Sequence, residues 1–306
     1  MQTLTRSFKT IQKIFVPPTV VNLPGTRVRA PIGAKELPSL DPFVALYYFD
    51  IRAPFGFPDH PHLGMETITF IIDGEYRYED FHGHEGIMEP GHLQWMTAGK
   101  GLVHAERPCS NETPAIGLQW WMNLPCKEKF CDPEYQEINH DRVPVAEKDG
   151  VKVKVMSGEA LGVKSPVRQR HPTLILEITM LANVKFEQDI PKGWNAFTIV
   201  HEGKAYFGEN KEEAKTSETV LLNKDDNEVL LIETKEEGAR IYLTAALPIN
   251  ESVHRYDAVI LCSEEELTKA KSDWTEAREG FARDKEWQSD IHKYLVDANK
   301  PKSQAQ

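Results

Sequence analysis

The residues with the clearest chemistry form one short run, Asp59-His60-Pro61-His62-Leu63-Gly64-Met65-Glu66. In an extended strand, side chains two apart share a face, so His60, His62 and Glu66 point the same way. Further along, His104-Ala105-Glu106 repeats the spacing of two. Two such strands meeting inside a barrel would converge these side chains on one cation. Imidazole and carboxylate together suit Fe, Mn, Ni, Cu or Zn. A set of this size leaves coordination positions open, as a catalytic metal requires. Spacing alone does not separate Glu66 from Glu106 as the carboxylate ligand. A lone H-x-H is often an inert surface pair. H-x-H-x-x-x-E followed by Gly74, by Pro90-Gly91 and by His104 is far more specific.

The elements that must hold these side chains read as strands. Before residue 260, short apolar runs such as LDPFVALYYFDI, TITFIIDGEYRYEDF, GLQWWMNL and TLILEITM are separated by Gly, Asp, Asn and Pro. Val151, Val153 and Val155 alternate with lysines, and Leu174, Leu176, Ile178 and Met180 keep the same period of two. That is the pattern of half-buried strands, and many of them in succession predict an all-β fold. Near the end the period changes. Ser263-Glu264-Glu265-Glu266 is a capping box. Leu267, Ala270, Trp274, Ala277 and Phe281 then follow helical spacing and form one face of an amphipathic helix. Gly280 weakens that helix by about 1 kcal/mol relative to Ala and marks a break. Residues 298–306 are polar and expected to fray.

The charged stretch before Val151 divides the strands into two similar sets. The predicted domains are residues 1–135 for a first barrel, 136–150 for a linker, 151–262 for a second barrel, and 263–306 for a C-terminal helix and tail. Ile71-Ile72-Asp73-Gly74 has a counterpart in Val200-His201-Glu202-Gly203, a faint sign of duplication. Counting back from Gly203 as His60 and His62 count back from Gly74 leads to Asp189 and Pro191, and His201 stands alone. The second barrel is therefore expected to be metal-free.

Of 306 residues, 40% are hydrophobic, enough for a sizeable core. Lys plus Arg is 36 and Asp plus Glu is 47, so the net charge is −11, which argues against direct binding to nucleic acid or anionic lipid. No apolar run is long enough for a transmembrane helix, and the N-terminal stretch lacks a secretory pattern. Cys109, Cys126, Cys131 and Cys262 form no disulfide framework, so a reducing compartment is the default. His82-Gly83-His84 reads as a solvated turn, and a metal or redox pair at Cys126 and Cys131 is disfavoured. Trp95, Trp120 and Trp121 read mostly as core, with one of them available to line a pocket.

The spacing from His60 to His104 resembles the two motifs of the cupin superfamily. Leu40-Asp41-Pro42-Phe43, FPDHPHLGMET (57–67), LQWMTAGKGLVHAE (93–106), SGEALGVKS (157–165), IPKGW (190–194) and GF-x-R-x-K-x-W (280–287) are similar to the pirin family within it. The resemblance covers nearly the whole chain and implies a bicupin, two antiparallel barrels facing each other, only the first of them binding metal. It implies one iron, Fe(II)/Fe(III), per chain, held by His60, His62, His104 and Glu106, with Glu66 not counted among the ligands; other divalent metals fit the same donors. It also implies a monomer in nucleus and cytoplasm. Leu63 and Met65 depart from the family's usual Arg and aromatic residue, and the Gly-Pro turn usual near 246–262 is absent, which leaves pocket polarity and local backbone open.

Two functions follow from the resemblance. One is a quercetin 2,3-dioxygenase that opens a flavonol with O2, with Glu106 as the base for the substrate hydroxyl and Glu66 as the alternative. The other is an iron-redox-dependent transcription co-regulator acting through a transcription-factor partner. A third, plainer reading is a cupin with a residual metal site and an unassigned small ligand.

Overall fold

The computed structural model describes residues 7–283 and 287–298. The rest of the polar tail (299–306) and residues 284–286 of the GF-x-R-x-K-x-W motif lie outside the described residues. The fold is mostly β, with two cupin domains and helix at the C-terminal end, as expected.

The unit carrying the histidines is built from residues 19–38, 43–140 and the described residues from 250 on. One sheet runs, in spatial order, Glu134–Ile138, Leu93–Thr97, Met65–Asp73, Ala115–Asn123, Phe43–Ile51, Thr26–Ile32 and Thr19–Leu23. The other runs Phe57–His62, Leu102–Pro108, Tyr76–Asp80 and Glu85–Met88. Every pairing in both is antiparallel. Leu93–Thr97 is buried along its whole length, because the chain covers both of its faces.

The other unit comprises residues 7–18, 39–42 and 141–249. Its main sheet runs Ile11–Phe15, Thr219–Leu222, Asn195–Phe207, Ala239–Ala246, Thr173–Met180, Val151–Ser157 and Val145–Lys148. Val151, Val153 and Val155 are buried while Lys152 is exposed, a half-buried strand as the alternation predicts. Thr173–Met180 departs from that pattern, since Ile175 and Glu177 on its other face are buried too. The Glu177 carboxylate tolerates burial because Lys154 lies 2.9 Å away and Arg240 pairs with it.

The chain-order partition needs correction. The N-terminal strand Ile11–Phe15 pairs with Thr219–Leu222, so it belongs with the second barrel, not with 19–135. The segment 136–150 is not a linker: Glu134–Ile138 pairs with Leu93–Thr97 and Val145–Lys148 pairs with Val151–Ser157. Glu137, Glu147 and Lys148 are exposed on these strands, and Asp141, Arg142 and Asp149 sit in the turns beside them, which blurs any apolar pattern. The faint repeat has a physical basis. Gly74 and Gly203 share a left-handed backbone (φ 72° and 73°). A Cβ at either would overlap a carbonyl of a neighbouring strand connection, Pro114 in one unit and Gly238 in the other.

The Ser263 N-cap forms, with Oγ accepting from Glu266 N (3.2 Å), but the return bond differs from the box expected: Glu266 Oε2 accepts from Cys262 N (3.0 Å), one residue before the cap. The helix Glu264–Glu276 ends earlier than expected, with Ala277 left-handed at its C-cap. Gly280 serves a different purpose: a Cβ there would overlap the Lys100 carbonyl, so glycine lets this turn lie against Lys100-Gly101. A second helix, Asp290–Ala298, follows, which the helical spacing up to Phe281 did not announce. A disulfide joins Cys126 to Cys262, 136 positions apart, a pairing invisible in local spacing and at odds with the all-thiol expectation. Among the described residues, no helix is long and apolar enough to cross a membrane.

Candidate metal centre

Phe57–His62 and Leu102–Pro108 lie side by side, with His60 opposite His104 and His62 opposite Leu102. Directly opposed residues of an antiparallel pair project from the same face. His60, His62 and His104 therefore converge, with ring centroids 4.5–4.9 Å apart. Their ligand nitrogens all lie within 4.8 Å of one another. His60 Nε2 and His104 Nε2 are 3.0 Å apart. Glu106, two residues beyond His104, brings Oε2 to 3.9 Å from His104 Nε2.

The imidazole tautomers suit a cation. His60 Nδ1 donates to the Pro58 carbonyl (2.8 Å), and His62 Nδ1 lies 3.5 Å from the Met65 sulfur. Each leaves its Nε2 lone pair directed into the cluster. Among the described residues, the buried His62 Nε2 has no hydrogen-bond partner. A cation bound among these nitrogens would satisfy it and relieve the close approach of His60 and His104, so the donor set fits a metal. Burial holds all three imidazoles below their ordinary pKa, His62 and His104 far below, where neighbouring histidines add to the effect. They are thus neutral, as ligation needs. Burial lifts the Glu106 carboxyl to about 7, against the smaller opposing effect of a hydrogen bond from Gln119.

Glu66 sits elsewhere. It lies on Met65–Asp73 in the other sheet, buried, with Oε1 accepting from Thr97 Oγ1 (2.7 Å). It does not line the cavity beside the histidines. That cavity, about 400 Å³, is bounded by His60 and Glu106 on one side and by Tyr47, Phe49, Phe57, Tyr76 and Trp121 around it. Trp121 is the tryptophan that lines it, while Trp95 and Trp120 are fully buried in the core. Gln119 and Asp257 also face the cavity, and neither was singled out in the sequence. The signal for Gln119 was its place two residues before Trp121, on the same strand face.

The two departures near the ligands lead away from the cavity or behind it. Leu63 packs with Val103, Val259, Leu261 and Phe281, not into the pocket. Met65 is buried behind His62. Where the Gly-Pro turn is missing, His254–Tyr256 and Val259–Leu261 form a hairpin whose turn places Asp257 in the left-handed region (φ 49°). His82 and His84 lie in the turn after Tyr76–Asp80, where Asp80 Oδ1 accepts from both backbone amides. That is the turn chemistry expected of them.

With the geometry in place, comparison with known proteins is informative. A family model described as Pirin matches residues 25–122, and one described as Pirin C-terminal cupin domain matches residues 175–280. The chain belongs to the pirin family. Pirin of Homo sapiens is 44% identical over 271 residues, covering 87% of this chain and 92% of that protein. Among solved structures, a quercetin 2,3-dioxygenase of Acinetobacter baumannii superposes with a TM-score of 0.80 at 22% identity, covering 90% of this chain and 99% of that one. A bacterial pirin of Escherichia coli, solved in complex with nickel(II), gives a TM-score of 0.63 at 19% identity over 77% of this chain and 100% of that one. At these identities the structures speak for the fold. The pirin described here is thus a metal-binding type of cupin with a histidine triad at the expected place in its barrel.

Proposed function

We propose that this pirin holds one redox-active cation through His60, His62, His104 and Glu106 and cleaves a flavonol with O2, as a quercetin 2,3-dioxygenase does. The observation that carries the reading is the junction of the histidine cluster with an aromatic cavity: His60 belongs to both, and Glu106, which lines the cavity, brings Oε2 to 3.9 Å from His104 Nε2. The similarity in fold to a quercetin 2,3-dioxygenase supports it. When bound, an iron-class cation supplies the one-electron chemistry that lets O2 react with a closed-shell substrate.

The chain's own residues do the rest. Phe49, Phe57, Tyr47 and Trp121 form walls suited to flat rings and exclude water from them. Glu106 lines the cavity and would accept the proton of the substrate hydroxyl at a carboxylate oxygen when that carboxylate loosens from the cation. Glu66, bonded to Thr97 on the other sheet, is not among the residues that line the cavity, which favours Glu106 as the base.

The test is oxygen uptake with quercetin by anaerobically iron-loaded protein, with carbon monoxide measured in parallel. Uptake with carbon monoxide release, absent in His104→Ala, is the expected result. Iron-loaded protein that consumes no oxygen overturns the dioxygenase reading and leaves the redox-dependent protein partner as the reading to pursue.

A further inference from the structure

Gln119 and Trp121 lie two apart on Ala115–Asn123, on the face turned to the cavity. Trp121 Nε1–H donates to Gln119 Oε1 at 2.9 Å. An indole N–H is a donor only, so this bond settles which end of the Gln119 amide is oxygen. The amide nitrogen must then point the other way. It donates to Glu106 Oε1 at 3.2 Å and lies 3.2 Å from Thr69 Oγ1. Glu106 Oε2 is the oxygen nearer His104 Nε2, at 3.9 Å, and is only 3.5 Å from the amide nitrogen. The two carboxylate oxygens are therefore not equivalent. The amide nitrogen holds Oε1 more closely, at 3.2 Å, and reaches Oε2 only at the limit of a hydrogen bond, while Oε2 is the oxygen turned to the histidine cluster. Trp121 also sets its ring edge-on to His62, with centroids 5.4 Å apart, so it touches both flanks of the donor set.

We infer that Gln119, locked in orientation by Trp121, is a positioning residue that presents Glu106 to the cation through a single oxygen, Oε2. This rests on the ligand set proposed above. Without the amide, the Glu106 carboxyl could rotate or chelate through both oxygens, and the preorganised donor geometry would be lost. Partners that orient a metal ligand from behind typically matter 10–100-fold in affinity. The Trp121 link should matter less, because Thr69 still holds the amide nitrogen when the indole N–H is gone.

The experiment measures Ni2+ affinity by chelator competition on the full chain. The proteins are wild type, Gln119→Leu, Trp121→Phe, Glu106→Ala and the double variant Gln119→Leu/Glu106→Ala, with circular dichroism confirming that each is folded. The expected result is a roughly 10–100-fold loss in Gln119→Leu and a smaller loss in Trp121→Phe. In the Glu106→Ala background, Gln119→Leu should change affinity by less than about threefold, since its target is gone. Wild-type affinity in Gln119→Leu, or a loss that persists undiminished in the Glu106→Ala background, overturns the inference. A wild-type protein that binds no Ni2+ overturns the ligand set itself, a distinct outcome.

Discussion

His60 and His104 face each other across adjacent antiparallel strands, with their Nε2 atoms 3.0 Å apart. A pair of neutral imidazoles can share one proton there, but the third ring, His62, has a buried Nε2 with no hydrogen-bond partner among the described residues. The arrangement is costly without a cation and well matched with one. His104→Ala should therefore weaken Ni2+ binding by more than about a hundredfold, beyond what loss of an orienting partner does. Equilibrium dialysis checks it; near-normal binding would show that the triad is not the site.

Metal binding should also depend on pH in a particular window. Glu106 in the metal-free protein titrates near about 7, because burial disfavours its charge. The buried histidines stay neutral well below that. A cation must displace the Glu106 proton, so below about pH 7 the apparent affinity should fall about tenfold per pH unit, and above it level off. In Glu106→Gln the affinity should be weaker and flat across the same window. Ni2+ titrations at several pH values decide this, and a flat wild-type curve would contradict it.

Lys129 is buried with its ammonium donating to the Gly64 carbonyl (2.9 Å), Asn123 Oδ1 (2.6 Å) and the Ile260 carbonyl (2.9 Å). Burial lowers its pKa to about 8. It ties the turn just after His62 to the hairpin strand Val259–Leu261. Lys129→Met would strand three buried acceptors and should cost about 3 kcal/mol in urea unfolding. A cost under about 1 kcal/mol would mean that these acceptors find other donors.

The paired glycines give a symmetric expectation. Gly74→Ala and Gly203→Ala each place a Cβ against a backbone carbonyl at a left-handed residue. Each should destabilise by about 2–4 kcal/mol, the strain and the overlap adding. Gly203→Ala should leave Ni2+ affinity unchanged, because its unit does not contribute the histidines. Thermal denaturation and metal titration together check this, and a stable Gly203→Ala would show that the two turns are not equivalent.

Much of the site was legible because its signal is local. Period-two spacing puts His60 with His62 and His104 with Glu106, and nothing but a β-fold gives those pairs a common face. The choice between Glu66 and Glu106 was not legible. It depends on which sheet each strand joins, and pairing partners lie far apart in sequence. Gln119 was missed for the same reason: a glutamine in a strand acquires meaning only when Glu106 and Trp121 are found on either side of it. The disulfide and the place of Ile11–Phe15 are likewise products of long-range pairing. The helix Asp290–Ala298 does carry an apolar face, Ile291 and Leu295 four apart, but at nine residues it is short and was passed over.

That helix lies on the histidine-bearing strands. Ile291 and Leu295 pack against Ala105, Ser289 donates to Asp59 beside His60, and Glu79 accepts from the amide of Asp290. The unit it completes begins at residue 19, while residues 141–249 fold into the other unit. During synthesis, then, His60, His62 and His104 leave the ribosome long before the helix that braces their strands. The intervening barrel is fully translated in the meantime. A cation captured on the nascent chain would meet the histidine cluster before Asp290–Ala298 is there to brace its strands.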